Sequence, residues 1–296
     1  MRLSQVIGRS QDIDVHRGER KRRTGSMSET MERVSIYQPE QEGLVFPELP
    51  VFDTVEQERQ HRKERLAAAC RAFAKFGFNY GTAGHLTVRD PQTPDLYWTN
   101  PFAVPFRHVQ VSNLILVDHN GRVVEGRHAA NRAGFVLHSA IHEANPEIIA
   151  SCHAHTVHGA AYAALGRPLP PNTQDVSVFF EHHVVIEEEA GAIVVEIDAG
   201  KAVGSAFGDN KAMIHQNHGL FSAGTHSIDE AAWWFIALEH ACRVQLLLEA
   251  SASPAKPVSP EAARHTRRHF GTPYMGWLNF QPIYDSLVRE QPDFLD

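Results

Sequence analysis

Two short apolar runs that each end in histidines constrain this chain more than anything else in it. The first is Ile148-Ile149-Ala150, followed by Ser151-Cys152-His153-Ala154-His155-Thr156-Val157-His158-Gly159 and the alanine-rich stretch up to Leu165. An apolar run of that length reads as a buried strand, and the stretch after it as a helix. Side chains two apart on a strand share a face, so His153 and His155 can aim two imidazoles at one point. Two neutral imidazoles on one side of a strand are most of a divalent-metal site. A third ligand has to come from elsewhere. The best candidate is His218, in His215-Gln216-Asn217-His218-Gly219-Leu220, which again follows an apolar run, Ala212-Met213-Ile214.

The surrounding pattern alternates helices and strands. Thr54 is a fair N-cap for a helix with Glu56 and Glu58 in its first turns, and Leu66, Cys70, Phe73 and Phe76 form its apolar stripe up to Gly77. Gly81 to Asp90 is a glycine turn opening into an alternating strand. Leu96–Thr99 and Leu114–Val117 are further strands, and Asp118-His119-Asn120-Gly121 is a hairpin turn into Arg122–Glu125. Helical spacing returns from Asn131 through Phe135, Leu137, His138, Ile141 and His142, closed by Asn145-Pro146. Val176–Phe180, His183–Ile186 and Ala192–Ile197 are β-prone, Lys201–Phe207 reads as a short helix, and Lys211–Ile214 as a strand. A long helix follows over Ile228–Leu248. These elements predict an α/β fold: a central, mostly antiparallel or mixed sheet between two helical layers, three layers in all. Residues 1–45 are expected to be a disordered tail, with the basic run Arg20-Lys21-Arg22-Arg23 as a solvated segment. The main domain is expected over 46–252, with 253–296 docked on it through Tyr274, Trp277, Phe280 and Tyr284.

Composition narrows the function. A net charge of −7 argues against a nucleic-acid binder, and no stretch approaches the roughly 18 apolar residues of a membrane span. Three scattered cysteines, Cys70, Cys152 and Cys242, make no disulfide framework and suit a reducing, cytoplasmic setting. The 19 histidines are the unusual figure and direct attention to metal or proton chemistry.

Gly81-Thr82-Ala83-Gly84, Val124-Glu125-Gly126, the helix carrying His138, His153-Ala154-His155 and Asn217-His218-Gly219 occur in the order found in the class II aldolase/adducin family, which this chain resembles over about residues 60–250. Gly84 to Asp90, Asn100-Pro101-Phe102, Asn131 to Phe135 and the C-terminal Gly276 to Pro282 are similar to an adducin-like microbial branch. That branch includes the non-haem iron oxygenase/decarboxylases of aminocoumarin biosynthesis. The resemblance implies a nine-stranded sheet, a homotetramer and a small-molecule substrate. It also implies one divalent metal ion on His153, His155 and His218: zinc or iron(II), with manganese or cobalt possible. Departures from the aldolases matter as much. The position of their catalytic glutamate is Gly134, their two phosphate-binding serines become Arg132 and Ala133, their Thr-Gly becomes Pro101-Phe102, and their asparagine becomes His85. A phosphate needs close backbone approach and donor side chains, and most of those are gone.

The expected chemistry follows from what is left. His85 and Glu181 are the candidate catalytic groups, Glu181 with a raised pKa if Phe179 and Phe180 bury it. Arg132 is a candidate carboxylate anchor, with Asn100 and Tyr274 as further substrate-binding residues. His158 reads equally as a residue supporting the metal ligands or as a helix-surface residue. The expected activity is metal-dependent cleavage of a C–C bond beside a carbonyl or carboxylate of a non-phosphorylated substrate. One alternative is a non-haem iron(II) oxygenase acting on an aromatic 2-hydroxy or 2-oxo acid. The other is a non-catalytic adducin-like interaction protein.

Overall fold

The protein is described here by a computed structural model covering residue 41 and residues 43–296, so nearly all of the expected tail lies outside the described residues. In chain order the helices are α1 (Val55–Lys75), α2 (Arg132–Ala144), α3 (Val157–Ala163), α4 (Gln174–Ser177), α5 (Ile197–Phe207), α6 (Ile228–Glu249), α7 (Pro260–Phe270) and α8 (Pro273–Glu290). The strands are β1 (Gly84–Arg89), β2 (Leu96–Thr99), β3 (Ile115–Asp118), β4 (Val123–Glu125), β5 (Ala150–Ala154), β6 (His183–Ile186), β7 (Ala212–His215) and β8 (Gly219–Gly224).

Local chemistry sets many of these boundaries. Thr54 caps α1 in a capping box: its side chain accepts from the Gln57 N–H, and the Gln57 side chain accepts from the Thr54 N–H. Ser227 caps α6 in the same position, accepting from Glu230 N–H. Pro273 opens α8, where its missing N–H costs nothing, behind the Thr272 cap.

The strands form one sheet in the order β4-β3-β2-β1-β5-β8-β7-β6. Only the outer β6–β7 pair is parallel; the other pairs are antiparallel. Among the described residues the sheet has eight strands, one fewer than the resemblance implied. Alternation along the strands divides the core. Leu86, Val88, Cys152, Ala154, Ile214 and Leu220 join the large cluster under α1 and α6. Met213, Phe221 and Ala223 face the opposite layer, with Leu137 and Ile141 of α2 and Val203 and Phe207 of α5.

Two expected strands form something else. Val176 belongs to the single-turn α4, because Thr173 accepts from the Val176 N–H and starts a helical turn. Residues 192–196 are irregular and Ile197 begins α5. Ile193 and Val195 are exposed and pair with no strand, so their β preference has no packing to realise it. The C-terminal segment folds into α7 and α8, with Phe280 and Leu287 buried in the main core.

The α2–α5 contact positions the site. Gly200 and Gly204 let α5 lie on the backbone of α2; a Cβ at Gly204 would fall 2.4 Å from the Ala140 carbonyl oxygen. Replacing Gly204 by alanine is expected to cost on the order of 1–3 kcal/mol, read by chemical denaturation, because backbone rather than a flexible side chain has to yield. Wild-type stability in that variant would show that the contact is loose.

Candidate metal centre

β5 and the β7–β8 hairpin bring the three predicted histidines together. Ring centroids are 5.1 Å apart for His153 and His155, 4.8 Å for His153 and His218, and 5.0 Å for His155 and His218. One nitrogen of each lies within 4.8 Å of the others. The pairing of β5 with β8 sets Phe221 opposite His153, and their rings stack 4.0 Å apart. The hairpin closes on the His215–Gly219 pair, with Asn217 at a left-handed φ of 56° that asparagine tolerates.

Hydrogen bonds settle which nitrogens are free. His153 Nδ1 donates to the Leu220 carbonyl at 2.8 Å, which leaves the Nε2 lone pair available. His215 Nε2 donates to the Glu188 carbonyl at 2.7 Å, so His215 Nδ1 accepts from His218 Nδ1 at 2.9 Å and frees His218 Nε2. Burial pushes the pKa of His218 down to about 3, that of His153 well below the usual imidazole range, and that of His155 down as well. Three neutral imidazoles with free lone pairs fit a divalent metal and leave coordination positions open, as a catalytic site needs.

The turn after the ligand strand is clamped from α6. The Glu239 carboxylate accepts from the Thr156 hydroxyl and from the N–H groups of His158 at 3.2 Å and Gly159 at 2.7 Å. It also holds His158 Nδ1 at 2.8 Å, so His158 supports the turn and does not face a ligand.

A second histidine layer lies on the same sheet face. His85 sits opposite His153 across the β1–β5 pair, and Thr87 sits opposite Ser151. His138 Nδ1 meets Ser151 Oγ at 2.5 Å, and His142 Nε2 meets Thr87 Oγ1 at 2.9 Å. His85 Nε2 meets Thr99 Oγ1 at 3.1 Å. His85 Nδ1 and His138 Nε2 are buried without a hydrogen-bond partner, a costly state that a ligand in the adjoining cavity would relieve for His85. Burial lowers the pKa of His85 and His142 to about 3 and that of His138 well below the usual range. A Cβ on Gly134 would be 3.5 Å from the His85 Cβ and 3.4 Å from the Asn131 amide, so Gly134 packs directly against both.

These groups border a cavity of about 390 Å³, lined by His85, Gly134, His153, His155 and His218, with Ala192–Val194 as its far wall. An adjoining cavity of about 260 Å³ shares Thr82, Ala83, Gly84 and Asn131 with it and is walled by Pro101, Phe102, Phe106 and Arg107.

Several predicted site residues lie elsewhere. Glu181 is on the surface, held by Arg264 at 2.6 Å and Arg267 at 3.1 Å. Those guanidiniums lower its pKa, the opposite of the expected shift, so it is no proton carrier for this cavity. Tyr274 is buried in a separate cluster with Met275, Trp277 and Phe52, away from the cavity lining. Arg132 is exposed at the first turn of α2, and the cavity is lined by its neighbours Asn131, Ala133 and Gly134 instead. Asn100 lines the second cavity, but its amide is held by the backbone of β1, accepting from Leu86 N–H at 3.0 Å. The arginine that does line a cavity is Arg107, which sequence reasoning missed along with the roles of His215 and Glu239. Spacing signals only His215, three residues before His218.

Comparison with known proteins agrees with this geometry. The family model described as the class II aldolase and adducin N-terminal domain matches residues 64–246. The chain belongs to the class II aldolase and adducin family, whose members generally depend on a divalent metal. It is 41% identical to decarboxylase NovR of Streptomyces niveus over 84% of this chain and 92% of that one. It is also 41% identical to the 4-hydroxy-3-prenylphenylpyruvate oxygenase/4-hydroxy-3-prenylbenzoate synthase of Streptomyces roseochromogenus subsp. oscitans, over 82% and 88%. Among solved structures, the L-fuculose 1-phosphate aldolase from Glaciozyma antarctica PI12 superposes with a TM-score of 0.78 at 40% identity, covering 84% and 97%.

Two outcomes are expected of the centre. Protein stripped of metal and reconstituted should bind close to one equivalent, and His153→Ala and His218→Ala should lose it; wild-type loading below about 0.1 per chain would remove the centre, since a three-ligand site with free lone pairs has to fill. The metal-free protein should also lose stability as pH falls. The buried histidines stay neutral when folded, whereas the unfolded chain takes up their protons below about pH 6.5. Each such residue, His85 and His142 among them, contributes a loss of about 1.4 kcal/mol per pH unit from there downward. A flat unfolding free energy between pH 6.5 and 5 would contradict it.

Proposed function

We propose that this protein is a divalent-metal-dependent lyase that decarboxylates an aromatic 2-oxo or 2-hydroxy acid carrying no phosphate. The observation that carries this reading is a cavity in which three neutral imidazoles converge, with a glycine where the aldolases of the family keep their glutamate. The names of the two Streptomyces relatives support it. The fuculose phosphate aldolase named among the solved structures is equally similar in sequence. Pro101, Phe102 and Ala133, which offer a phosphate no side-chain donor, support the non-phosphorylated substrate.

His153, His155 and His218 would hold the metal, either zinc or iron(II). When bound, it would supply a Lewis acid that holds and orients the carboxylate and the 2-oxo or 2-hydroxy oxygen of the substrate. The chain's own residues bind and orient. His85 is neutral, with its pKa near 3, so it serves as a hydrogen-bonding partner of the substrate and not as a base. Phe102 and Phe106 give the second cavity aromatic walls for the ring of the substrate, and Arg107 at its edge presents a guanidinium to a substrate oxygen. Ala192–Val194 also line the metal cavity, with Val194 buried and Ala192 and Ile193 exposed. A cytoplasmic homotetramer fits the three buried free cysteines and the exposed Ile193, Val195 and Ile197 beside the site.

The oxygen-dependent reaction named for one relative is the second reading. Both are tested with 4-hydroxyphenylpyruvate and zinc- or iron(II)-loaded protein. Release of carbon dioxide with the matching aldehyde marks the simple lyase, and oxygen uptake marks the oxygenase. His85→Ala should lower kcat by about 10²-fold or more with metal content unchanged, as loss of a positioned hydrogen-bonding group does. Efficient cleavage of L-fuculose 1-phosphate with no turnover of the aryl acid would overturn the proposal.

A further inference from the structure

We propose that His215 is a positioning residue that ties the metal ligand His218 to the loop over residues 187–196. The inference rests on the metal-centre reading above and goes beyond it, because it assigns a function to a residue outside the ligand set and joins two parts of the cavity.

His215 is the last residue of β7 and is buried. Its two ring nitrogens face two different elements. Nε2 lies 2.7 Å from the Glu188 carbonyl oxygen, and Nδ1 lies 2.9 Å from His218 Nδ1. A carbonyl can only accept, so the Nε2 proton is fixed. A metal on His218 Nε2 requires the proton of that ring to sit on Nδ1, and His215 Nδ1 is the acceptor facing it. The relay therefore has one consistent direction: from the metal ligand through His215 to the loop backbone. Metal-bound imidazoles generally carry such a partner on the other nitrogen, which fixes the tautomer and the ring plane and strengthens the ligand.

The loop end of the relay matters because the loop is cavity wall. Ala192, Ile193 and Val194 line the metal cavity. Among the described residues, the bond from His215 is the one side-chain hydrogen bond that reaches residues 187–196. The other bonds there are backbone ones: Ala190 N–H to Glu187 at 3.1 Å and Ala192 N–H to Glu189 at 3.0 Å stay inside the loop, and Gly200 N–H to Glu196 at 3.1 Å ties its last residue to α5. A filled metal site holds His218, His218 holds His215, and His215 holds Glu188. Loading the metal thus firms the wall that shields the substrate.

Two amides separate the halves of the relay. The side chain of His215→Asn ends where Nδ1 lies, so it keeps an acceptor for His218 and gives up Glu188. That of His215→Gln reaches the Nε2 position, so it keeps the donor to Glu188 and gives up the His218 acceptor. Zinc affinity, measured by competition with a chromophoric chelator, should stay near wild type in His215→Asn and weaken about 10- to 100-fold in His215→Gln, the usual cost of losing such a partner. Amide exchange over residues 188–196 of the zinc-loaded protein should speed up in His215→Asn and stay slow in His215→Gln. His215→Ala should show both defects. Equal zinc loss in the asparagine and glutamine variants would mean that His215 only fills space, and unchanged affinity and exchange in all three would overturn the relay alone. A wild-type chain that binds no zinc would overturn the metal-centre reading and the relay together.

Discussion

The antiparallel pairing of β5 with β8 is the interaction on which the rest depends. It joins two segments far apart in the chain, sets His153 opposite Phe221, and delivers the His153 Nδ1–H to the Leu220 carbonyl. One residue of slip would turn His153 to the other face of the sheet, into the apolar layer under α6, and take the ligand set apart. The register is specified because both faces are buried. Cys152, Ala154 and Leu220 fill one core while Phe221 and Ala223 fill the other.

Burial of so many imidazoles sets the electrical state of the site. Among the described residues no carboxylate lines the metal cavity, and desolvation outweighs the carbonyl hydrogen bonds that favour protonation of His142 and His153, so His85, His138, His142, His153 and His218 stay neutral. Neutral rings are what a divalent cation needs as ligands and what a substrate oxygen needs as hydrogen-bonding partners. The same condition makes the site demanding, since each buried nitrogen has to be satisfied by hydroxyl, carbonyl or ligand. Thr87, Thr99 and Ser151 meet part of that need. The two nitrogens left over, on His85 and His138, belong to the layer behind the ligands.

The departures from the aldolases form a coherent set in space. Gly134, which the resemblance aligns with the aldolase glutamate, packs against His85, and Pro101 and Phe102, which it aligns with phosphate-binding residues, line the second cavity. One end of the site has become apolar and aromatic while the metal end keeps its ligands. That combination suits an aryl acid better than a sugar phosphate, since a ring gains from apolar burial and a phosphate from backbone donors.

Strand periodicity was enough to pair His153 with His155, because alternation is a local property of the backbone, and helical spacing with the Thr54 cap was enough for α1. The apolar run before it and the order of motifs shared with the class II aldolase/adducin family placed His218 with them. Other assignments depended on partners distant in sequence. Glu181 beside two phenylalanines looked like a buried acid, yet Arg264, 83 residues away, holds it at the surface. Arg132 and Arg107 are chemically the same, and only the tertiary fold decides that Arg107, in the short turn Phe106–His108 packed on α1, borders a cavity while Arg132 at the start of α2 does not. Residues 192–196 carry strand-forming side chains but found no strand to pair with. The sequence by itself determined that His153 and His155 share a strand face and where the main helices and strands run, since these follow from short-range geometry. The tertiary structure alone decided which polar groups face the cavity and which nitrogens are free, because burial and hydrogen-bond partners are set by contacts between elements.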